Sequence, residues 1–258
     1  MSRFEQTFER LAVEGRKALV GFLVAGDPDM ETSERHCREA LASGVDILEL
    51  GMPFSDPTAD GPVIQAAGRR SLAAGTTVAR VLTMAKRLRH ESLAPIVLFG
   101  YVNPFFSYGY ERLAQDAADA GVDAFLVVDL PFEESGEFKC HLDRVGLDFI
   151  TLIAPTTPAG RLKTILKDAR GFVYYIMVKG VTGARTEVSA DVSGHLARLK
   201  KHTRLPVAAG FGVSNGPQAR EAARHAEGVV VGSALVKAAD EGRLPDLVTE
   251  IRQALDAR

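Results

Sequence analysis

Two carboxylates in the segment Leu48–Pro62, LELGMPFSDPTADGP, have settings that suit acid and base chemistry. Glu49 stands in an apolar run where side chains alternate between two faces, so it shares a face with Ile47 and points away from Leu48. If that face is the interior of a barrel, the carboxyl group loses hydration, which raises its pKa and lets it exchange a proton near neutral pH. We therefore predict that Glu49 is a general acid and base.

Asp60 stands in a different setting, on a loop rich in turn-forming residues just before Gly61 and Pro62. We expect this carboxylate to be more hydrated and more fully ionised than Glu49, so that it can hold a developing positive charge. A second interpretation stays open, because aspartates commonly cap helices, and either Asp60 or Asp56 could cap the helix that follows.

Three glycine-bearing segments in the second half of the chain suit a phosphate group: Gly180–Gly183, Gly210–Gly212 and Gly232–Ser233. Each could also be a tight turn between a strand and a helix. Together, after consecutive strands of a barrel, they favour a phosphate site built from backbone amides and the amino end of a short helix at Gly232–Val236. The sequence has no GxxxxGK[ST] motif for a nucleotide triphosphate, so we expect a phosphate monoester.

Apolar runs alternate with amphipathic stretches along the whole chain. The runs predict eight strands, at Lys17–Ala25, Val45–Gly51, Pro95–Phe99, Ala124–Val128, Asp148–Ile153, Gly171–Met177, Leu205–Ala209 and Glu227–Val231. The stretches between them have helical spacing, at Glu31–Ala42, Val78–His90, Glu111–Ala120, Ser135–Val145, Gly160–Lys167, Val192–His202 and Pro217–His225.

Strands joined by helices run parallel, and eight such units in 258 residues predict an α/β fold with one (β/α)₈ barrel domain spanning residues 1–258. An extra helix precedes the first strand, and the short phosphate-binding helix follows the eighth. An open doubly wound sheet is the alternative, but the first strand is not followed by GxGxxG. The irregular segments Met52–Asp60 and Lys179–Ala190 follow strands and are expected at the catalytic rim.

Composition restricts the class of partner. Lysine and arginine total 31 against 33 acidic residues, so the formal charge is −2 and a nucleic-acid partner is not expected. The apolar runs are far shorter than the ~20 residues that cross a bilayer, so no membrane association is expected. Phe4, Phe8 and Leu11 recur at helical spacing, which indicates an amphipathic helix rather than a signal peptide and favours a cytoplasmic location.

Cys37 and Cys140 are the only cysteines, which is typical of a reducing compartment. Each has a histidine beside it, His36 and His141, but adjacent residues on a helix point roughly 100° apart and cannot share a metal. We therefore predict no metal site, two histidines on helix surfaces and two semi-buried thiols.

Five motifs carry a family resemblance: LELGMPFSDPTADGPVIQ from residue 48, GYVNP at Gly100–Pro104, DLPFEES at Asp129–Ser135, GVTGAR at Gly180–Arg185 and GFGVSN at Gly210–Asn215. In their residues and their order, these motifs closely resemble those of the tryptophan synthase α subunit family, and the resemblance extends over essentially the whole chain. The resemblance implies retro-aldol cleavage of indole-3-glycerol phosphate to indole and glyceraldehyde 3-phosphate, without a metal or organic cofactor.

The resemblance also implies roles for individual residues. Glu49 would carry the proton transfers, and Asp60 would face the N–H of the indole ring. Tyr175 would lie near the two carboxylates. The other substrate-binding positions are Phe22, Ile64, Leu126, Ile153 and Phe211 around the indole, and Thr182, Gly183, Gly212, Gly232 and Ser233 toward the phosphate. The aromatic and aliphatic members of this set would also suit an ordinary core.

Family members pair with a β subunit that holds pyridoxal phosphate, so the resemblance implies an α₂β₂ assembly and no cofactor on this chain. Its contact surface would include Pro53, Asp56, Pro57, Asn103 and Pro104. Met177 and Lys179 depart from the family pattern before GVTG. Two alternatives therefore stay open: a non-catalytic allosteric phosphate-binding subunit, and a free-standing lyase that produces indole.

Overall fold

The strands of the chain form one parallel sheet. A computed structural model describes residues 1–176, 191–210 and 212–257. In this part the strands are β1 Ala18–Val24, β2 Ile47–Gly51, β3 Ile96–Gly100, β4 Ala124–Val127, β5 Asp148–Phe149, β6 Thr151–Ile153, β7 Val173–Ile176, β8 Val207–Gly210 and β9 Gly228–Val231. Their order in the sheet is β5-β4-β3-β2-β1-β9-β8-β7-β6.

The sheet closes at Ile150. The predicted strand Asp148–Ile153 appears as two halves, β5 and β6, of which β5 pairs with β4 and β6 pairs with β7. Ile150 lies between the halves, and its N–H still donates to the carbonyl of Phe125 on β4, at 2.8 Å. The two ends of the sheet are therefore one continuous piece of chain, and the predicted (β/α)₈ barrel is confirmed.

Helices surround the barrel, and one or two of them follow most strands. In the described residues they are α1 Arg3–Glu14, α2 Met30–Ser43, α3 Pro62–Ala73, α4 Val78–Glu91, α5 Val102–Tyr108, α6 Tyr110–Asp119, α7 Gly136–Arg144, α8 Ala159–Leu166, α9 Asp191–Lys200, α10 Gly216–Ala222, α11 Ser233–Asp240 and α12 Leu244–Asp256. Three of them, α3, α5 and α11, directly follow strands β2, β3 and β9, ahead of the outer helix of the same unit. They therefore begin at the carboxyl-terminal rim of the barrel.

The amino-terminal helix closes the other end of the barrel. Ser2 and Glu5 form a reciprocal capping box at the start of α1, which fixes where the helix begins. Phe4 and Phe8 of α1 pack against Phe172, with ring centroids 5.6 and 6.1 Å apart. The predicted amphipathic helix is present, and its apolar face covers the lower end of the barrel.

Inward-facing residues of the strands form one buried cluster with this helix. The strand members are Ala18, Val20, Ile47, Val97, Ala124, Leu126, Ile150, Phe172, Ala208 and Val230. Residues between them in sequence face the outer helices and belong to separate clusters. The alternation predicted for Glu49 therefore holds throughout the barrel.

Carboxylates at the amino ends of the strands have structural partners. Asp46 accepts a hydrogen bond from the N–H of Leu19 and pairs with Arg252 at 2.9 Å. Asp123 accepts from the N–H of Ile96 in the same manner. These groups brace neighbouring strands, which separates them from the acidic residues at the opposite rim.

Neither cysteine is semi-buried, so that prediction is wrong. Cys37 on α2 is fully buried, which raises the pKa of its thiol, whereas Cys140 on α7 is exposed. In the ranges that the structure describes, no group of three or more His, Cys, Asp or Glu side chains is placed to hold a metal ion. No helix within those ranges combines the length and hydropathy needed to cross a membrane.

Candidate active site

Glu49 lies inside the barrel. In the parallel register of β2, it stands beside Phe22 of β1 and Val97 of β3. The residue is 0% exposed, and neither carboxyl oxygen has a hydrogen-bond partner in the described part of the chain. Burial raises the pKa of this carboxyl group from its ordinary value to about 8. The group therefore carries a proton at neutral pH and can donate it.

Two aromatic rings lie above Glu49, toward the rim. The rings of Phe22 and Phe99 meet edge to face, with centroids 5.0 Å apart. They meet beside Gly51, where an added Cβ would lie only 2.4 Å from Phe22 Cζ. Gly51 is two residues closer to the rim than Glu49, so the rings close the barrel over the carboxyl group, and glycine at this position gives them room.

A cavity opens on the rim side of these rings. It is a narrow cleft that is partly open to solvent. Its wall combines strand ends, the loop after β2 and helix α3, and it is lined by Phe22, Val24, Gly51, Met52, Pro53, Phe54, Pro57, Asp60, Ile64, Gly68, Phe99, Gly100 and Tyr101. A largely apolar wall with one carboxylate suits a flat aromatic ring that carries a single N–H donor.

Asp60 is held on this wall by Tyr101. The Tyr101 hydroxyl accepts from the N–H of Ala59 at 2.9 Å and hydrogen-bonds to the carboxylate of Asp60. On the other side, the Gln65 amide donates to the backbone carbonyl of Asp60, also at 2.9 Å. The loop therefore presents its carboxylate from a fixed position.

The surroundings of Asp60 are less hydrated than its loop sequence predicts. The carboxylate is less buried than that of Glu49, as expected, but it is not a freely hydrated group. Partial burial raises its pKa, and the hydrogen bond from Tyr101 opposes that rise. Desolvation makes the ionised form more costly in this loop than the turn-rich sequence suggested.

Neither aspartate of the loop caps helix α3. The residue at the N-cap is Gly61, and no side chain makes the capping hydrogen bond. Asp56 is exposed and accepts a hydrogen bond from the neighbouring Ser55 hydroxyl. The capping interpretation is therefore wrong for both residues.

We expect Tyr101→Phe to lower turnover about tenfold with a smaller change in KM, because Asp60 keeps its charge but loses the group that positions it. Steady-state kinetics measure both parameters. Tyr108→Phe is a matched control, since Tyr108 lies on α5 with its hydroxyl donating to Asp116, away from the cavity. Equal effects of the two changes would assign Tyr101 a structural role only.

The amino end of α11 lies next to the aromatic rings. An added Cβ on Gly232, the N-cap, would be in ordinary contact with Phe22 at 3.7 Å. Val236, one turn into the helix, is buried in a cluster with Phe22 and Ile64. The first N–H groups of a helix have no acceptor within it and favour an anion, so Gly232 and Ser233 could hold a phosphate beside the ring cavity.

Two predicted pocket residues face the wrong way. Ile153 and Tyr175 are paired in register and lie in the outer cluster with Leu162 of α8. Because alternate residues of a strand point to opposite faces, neither can face the carboxylates. Leu126 faces the interior in register with Phe99 of the aromatic pair, while Phe22 and Ile64 line the cavity as predicted.

Tyr174 takes the inward position predicted for Tyr175. A Cβ on Gly210 would lie 2.7 Å from its hydroxyl oxygen, so the ring rests against that glycine. Burial, and next the negative charge of Glu49, raise the pKa of Tyr174 far above its usual range. Phe99, Tyr101 and Tyr174 are thus site residues that were missed, although alternation from Val97 would have pointed inward at the first two.

The surface predicted for a partner is only partly exposed. Pro53 is buried and Pro57 lines the cavity, whereas Asp56 and Asn103 are exposed and Pro104 is half-buried. Phe106, two residues beyond Pro104, is 62% exposed and was not predicted. Thr182, Gly183, Phe211, Met177 and Lys179 lie outside the described residues, and Gly212 directly follows the last of these gaps.

Comparisons with known proteins agree with this geometry. A family described as "Tryptophan synthase alpha chain" matches residues 8–256. The tryptophan synthase alpha chain of Geobacter sulfurreducens is 50% identical, and the match covers 99% of both chains. That of Geotalea uraniireducens is also 50% identical, over 96% of this chain and 92% of the relative.

Solved structures give the same result. A chain of Mycobacterium tuberculosis tryptophan synthase superposes with a TM-score of 0.93 at 34% identity, covering 100% of this chain and 99% of that one. Tryptophan synthase subunit alpha from Legionella pneumophila superposes with a TM-score of 0.91 at 35% identity, covering 99% of both. The chain therefore belongs to the tryptophan synthase alpha chain family.

Proposed function

We propose that Glu49 and Asp60 together cleave indole-3-glycerol phosphate to indole and glyceraldehyde 3-phosphate, the lyase reaction of this family in tryptophan biosynthesis. One observation carries the proposal: two carboxylates in unlike environments lie on either side of an aromatic pair at the barrel rim. Glu49 is buried, with a pKa raised to about 8, and Asp60 is held on the cavity wall. The amino end of α11 lies next to the same aromatic pair.

The reaction begins at C3 of the indole ring. Glu49 lies beneath the rings of Phe22 and Phe99, so the substrate has to displace these rings to reach it. Glu49 then donates its proton to C3, and the positive charge that results is shared with the ring nitrogen. Asp60 accepts a hydrogen bond from the ring N–H and stabilises that charge. A carboxyl group that is protonated at rest suits the first role, and an anion with a fixed position suits the second.

Carbon–carbon cleavage then restores both groups. The carboxylate of Glu49 takes the proton of the hydroxyl next to the ring, the oxygen forms the aldehyde, and the electron pair of the broken bond returns to C3. Indole is neutral again, and Glu49 has regained a proton. The sequence of steps consists of proton transfers and stabilisation of one charge, so we propose no metal or organic cofactor on this chain.

We also propose that the chain works with a tryptophan synthase β subunit in an α₂β₂ assembly in the cytoplasm, with pyridoxal phosphate on the partner. Support comes from the M. tuberculosis relatives, which are structures of tryptophan synthase, including an aminoacrylate-bound form. Exposed Asp56 and Asn103 and the exposed ring of Phe106 offer a contact surface at the catalytic rim. A loop ordered by such a contact would exclude water and favour catalysis.

The test is an assay of indole release from indole-3-glycerol phosphate by the purified chain, alone and with a β subunit. We expect slow release alone and at least about tenfold faster release in the complex, whose stoichiometry light scattering measures. No release under either condition would contradict the lyase function and favour a non-catalytic phosphate-binding subunit. A full rate without any partner would instead support a free-standing lyase.

A further inference from the structure

Gly68 occupies an unusual position in helix α3. It lies in the interior of the helix, where glycine is less favourable than alanine. It is buried, and it lines the cavity that holds Asp60. Outside its own helix backbone, a Cβ added to Gly68 would meet no atom of the described residues within 4 Å.

Packing among the described residues therefore does not require this glycine. Gly51, on the same cavity, shows the contrast, because there a Cβ would collide with the ring of Phe22 at 2.4 Å. The space beside Gly68 is open and belongs to the ring cavity. The helix would be more stable with alanine, so neither packing nor helix propensity accounts for glycine at this position. The volume that a side chain would occupy is part of the cavity.

We infer that Gly68 sets the depth of the ring pocket and lets this chain accept indole-3-glycerol phosphates with a small substituent on the six-membered ring. This inference rests on the proposed function, because it places the indole ring in the Asp60 cavity. Gly68 is a specificity-determining residue in this view, and the substituent fills the volume that a side chain would take.

The geometry of α3 gives the direction of the pocket. Asp60 directly precedes the helix, and Ile64 and Gly68 line the same cavity one turn apart, about 6 Å along the axis. Asp60 binds the N–H of the five-membered ring. The six-membered ring then extends along the helix face past Ile64, and its outer edge reaches the open space beside Gly68.

The test compares the parent substrate with analogues that carry a methyl group at each position of the six-membered ring in turn. The measured quantity is the ratio of kcat/KM for the best methylated analogue to kcat/KM for the parent. We expect Gly68→Ala, which adds one carbon, to lower this ratio about tenfold, and Gly68→Leu, which adds four, to lower it at least roughly a hundredfold.

Gly194 provides matched controls. It lies within helix α9 on an exposed face, and an added Cβ there also meets no atom within 4 Å. Gly194→Ala and Gly194→Leu change helix propensity in the same way without touching the cavity. Both should leave the ratio unchanged, while both alanine variants should raise the thermal midpoint by a few degrees.

Binding gives a second measurement that does not depend on cleavage. The chain contains no tryptophan, so the fluorescence of an indole ligand is observed without a tryptophan background. Indole-3-propanol phosphate lacks the hydroxyl that cleavage requires. Its Kd, with and without a ring methyl group, should show the same loss of preference in Gly68→Leu.

An unchanged ratio in Gly68→Leu, in both cleavage and binding, would overturn the inference. So would a result in which even the best methylated analogue is cleaved more than roughly a hundredfold more slowly than the parent by the unaltered chain. Failure of the proposed function is a separate result, in which Glu49→Gln still releases indole at the normal rate. Loss of the methyl preference in a variant with a raised thermal midpoint cannot be attributed to unfolding.

Discussion

Replacing Glu49 with glutamine should lower turnover of indole-3-glycerol phosphate at least about a hundredfold while the chain still folds. Glutamine has nearly the same shape as the protonated carboxyl group that the barrel holds at neutral pH. It can neither donate a proton to C3 of the ring nor accept one from the hydroxyl. Initial rates of indole release measure the loss, and circular dichroism shows whether the barrel is retained.

Glu34→Gln is the matched control for this change. Glu34 on α2 is also buried, but it lies outside the barrel and pairs with Arg38 and Arg87. Removing its charge should lower stability and leave turnover close to normal. Glu49→Gln should instead lower turnover while the fold is retained. Turnover within a few fold of normal in Glu49→Gln would exclude Glu49 as the proton donor.

The raised pKa of Glu49 also sets the pH dependence of activity. The proposed reaction starts from the protonated group, so kcat/KM should fall as pH rises through about 8. Glu49→Gln removes this group, and its residual activity should lose that alkaline decrease. An alkaline limb that persists unchanged in the variant would assign it to another group.

The stability of the fold should also depend on pH, between the ordinary pKa of 4.5 and the raised value of about 8. The folded chain holds the Glu49 proton up to about pH 8, whereas the unfolded chain releases it near the ordinary value of 4.5. The folded state therefore binds more protons between these values, and its stability relative to the unfolded state falls as pH rises through them. Glu49→Gln should be insensitive to this effect, so urea titrations at pH 5 and pH 9 should favour the variant at the higher pH.

The barrel and Glu49 could be predicted because the sequence marks both. Apolar runs joined by amphipathic stretches leave few architectures other than a parallel barrel. Within β2, one carboxyl group on an apolar strand distinguishes the inward face from the outward one. The neighbouring strands β1 and β3 contain no charged residue that would distinguish their inward face, because a barrel strand is buried on both faces.

That lack of a mark explains the error at β7. Val173 and Tyr175 face the outer helices, while Tyr174 faces the barrel, and all three are apolar or aromatic. Two consecutive tyrosines fit either assignment. The predicted site residue, Tyr175, is one position away from Tyr174, which faces inward. Register with Ala208 of β8, known only from the folded chain, resolves it.

The bounds of helices α3 and α5 were not among the predicted helical stretches, and neither helix starts with a capping side chain. Their N-caps are Gly61 and Tyr101, and neither makes a side-chain capping hydrogen bond. The contact that fixes Asp60 joins Ala59 to Tyr101, 42 residues apart in sequence. Such contacts depend on the closed barrel and cannot be read from local pattern.

Replacing Asp60 with asparagine should also lower turnover at least about a hundredfold. The amide oxygen can still accept a hydrogen bond from the ring N–H, so KM should change little. It carries no negative charge, so the ring cation formed after proton transfer to C3 loses its stabilisation. The loop keeps its anchor, because the N–H of Ala59 still donates to Tyr101.

The two carboxylates should shape opposite limbs of the pH profile. Asp60 acts as an anion, so kcat/KM should fall as pH drops toward its raised pKa, and Asp60→Asn should abolish this acidic limb while the alkaline limb of Glu49 remains.

A double-mutant cycle then tests the link to Tyr101. Tyr101→Phe costs about tenfold in the normal chain, but it should cost much less in Asp60→Asn, since no charge is left to position. Fully multiplicative effects would show that Tyr101 acts independently of the carboxylate, and near-normal turnover in Asp60→Asn would remove Asp60 from the reaction altogether.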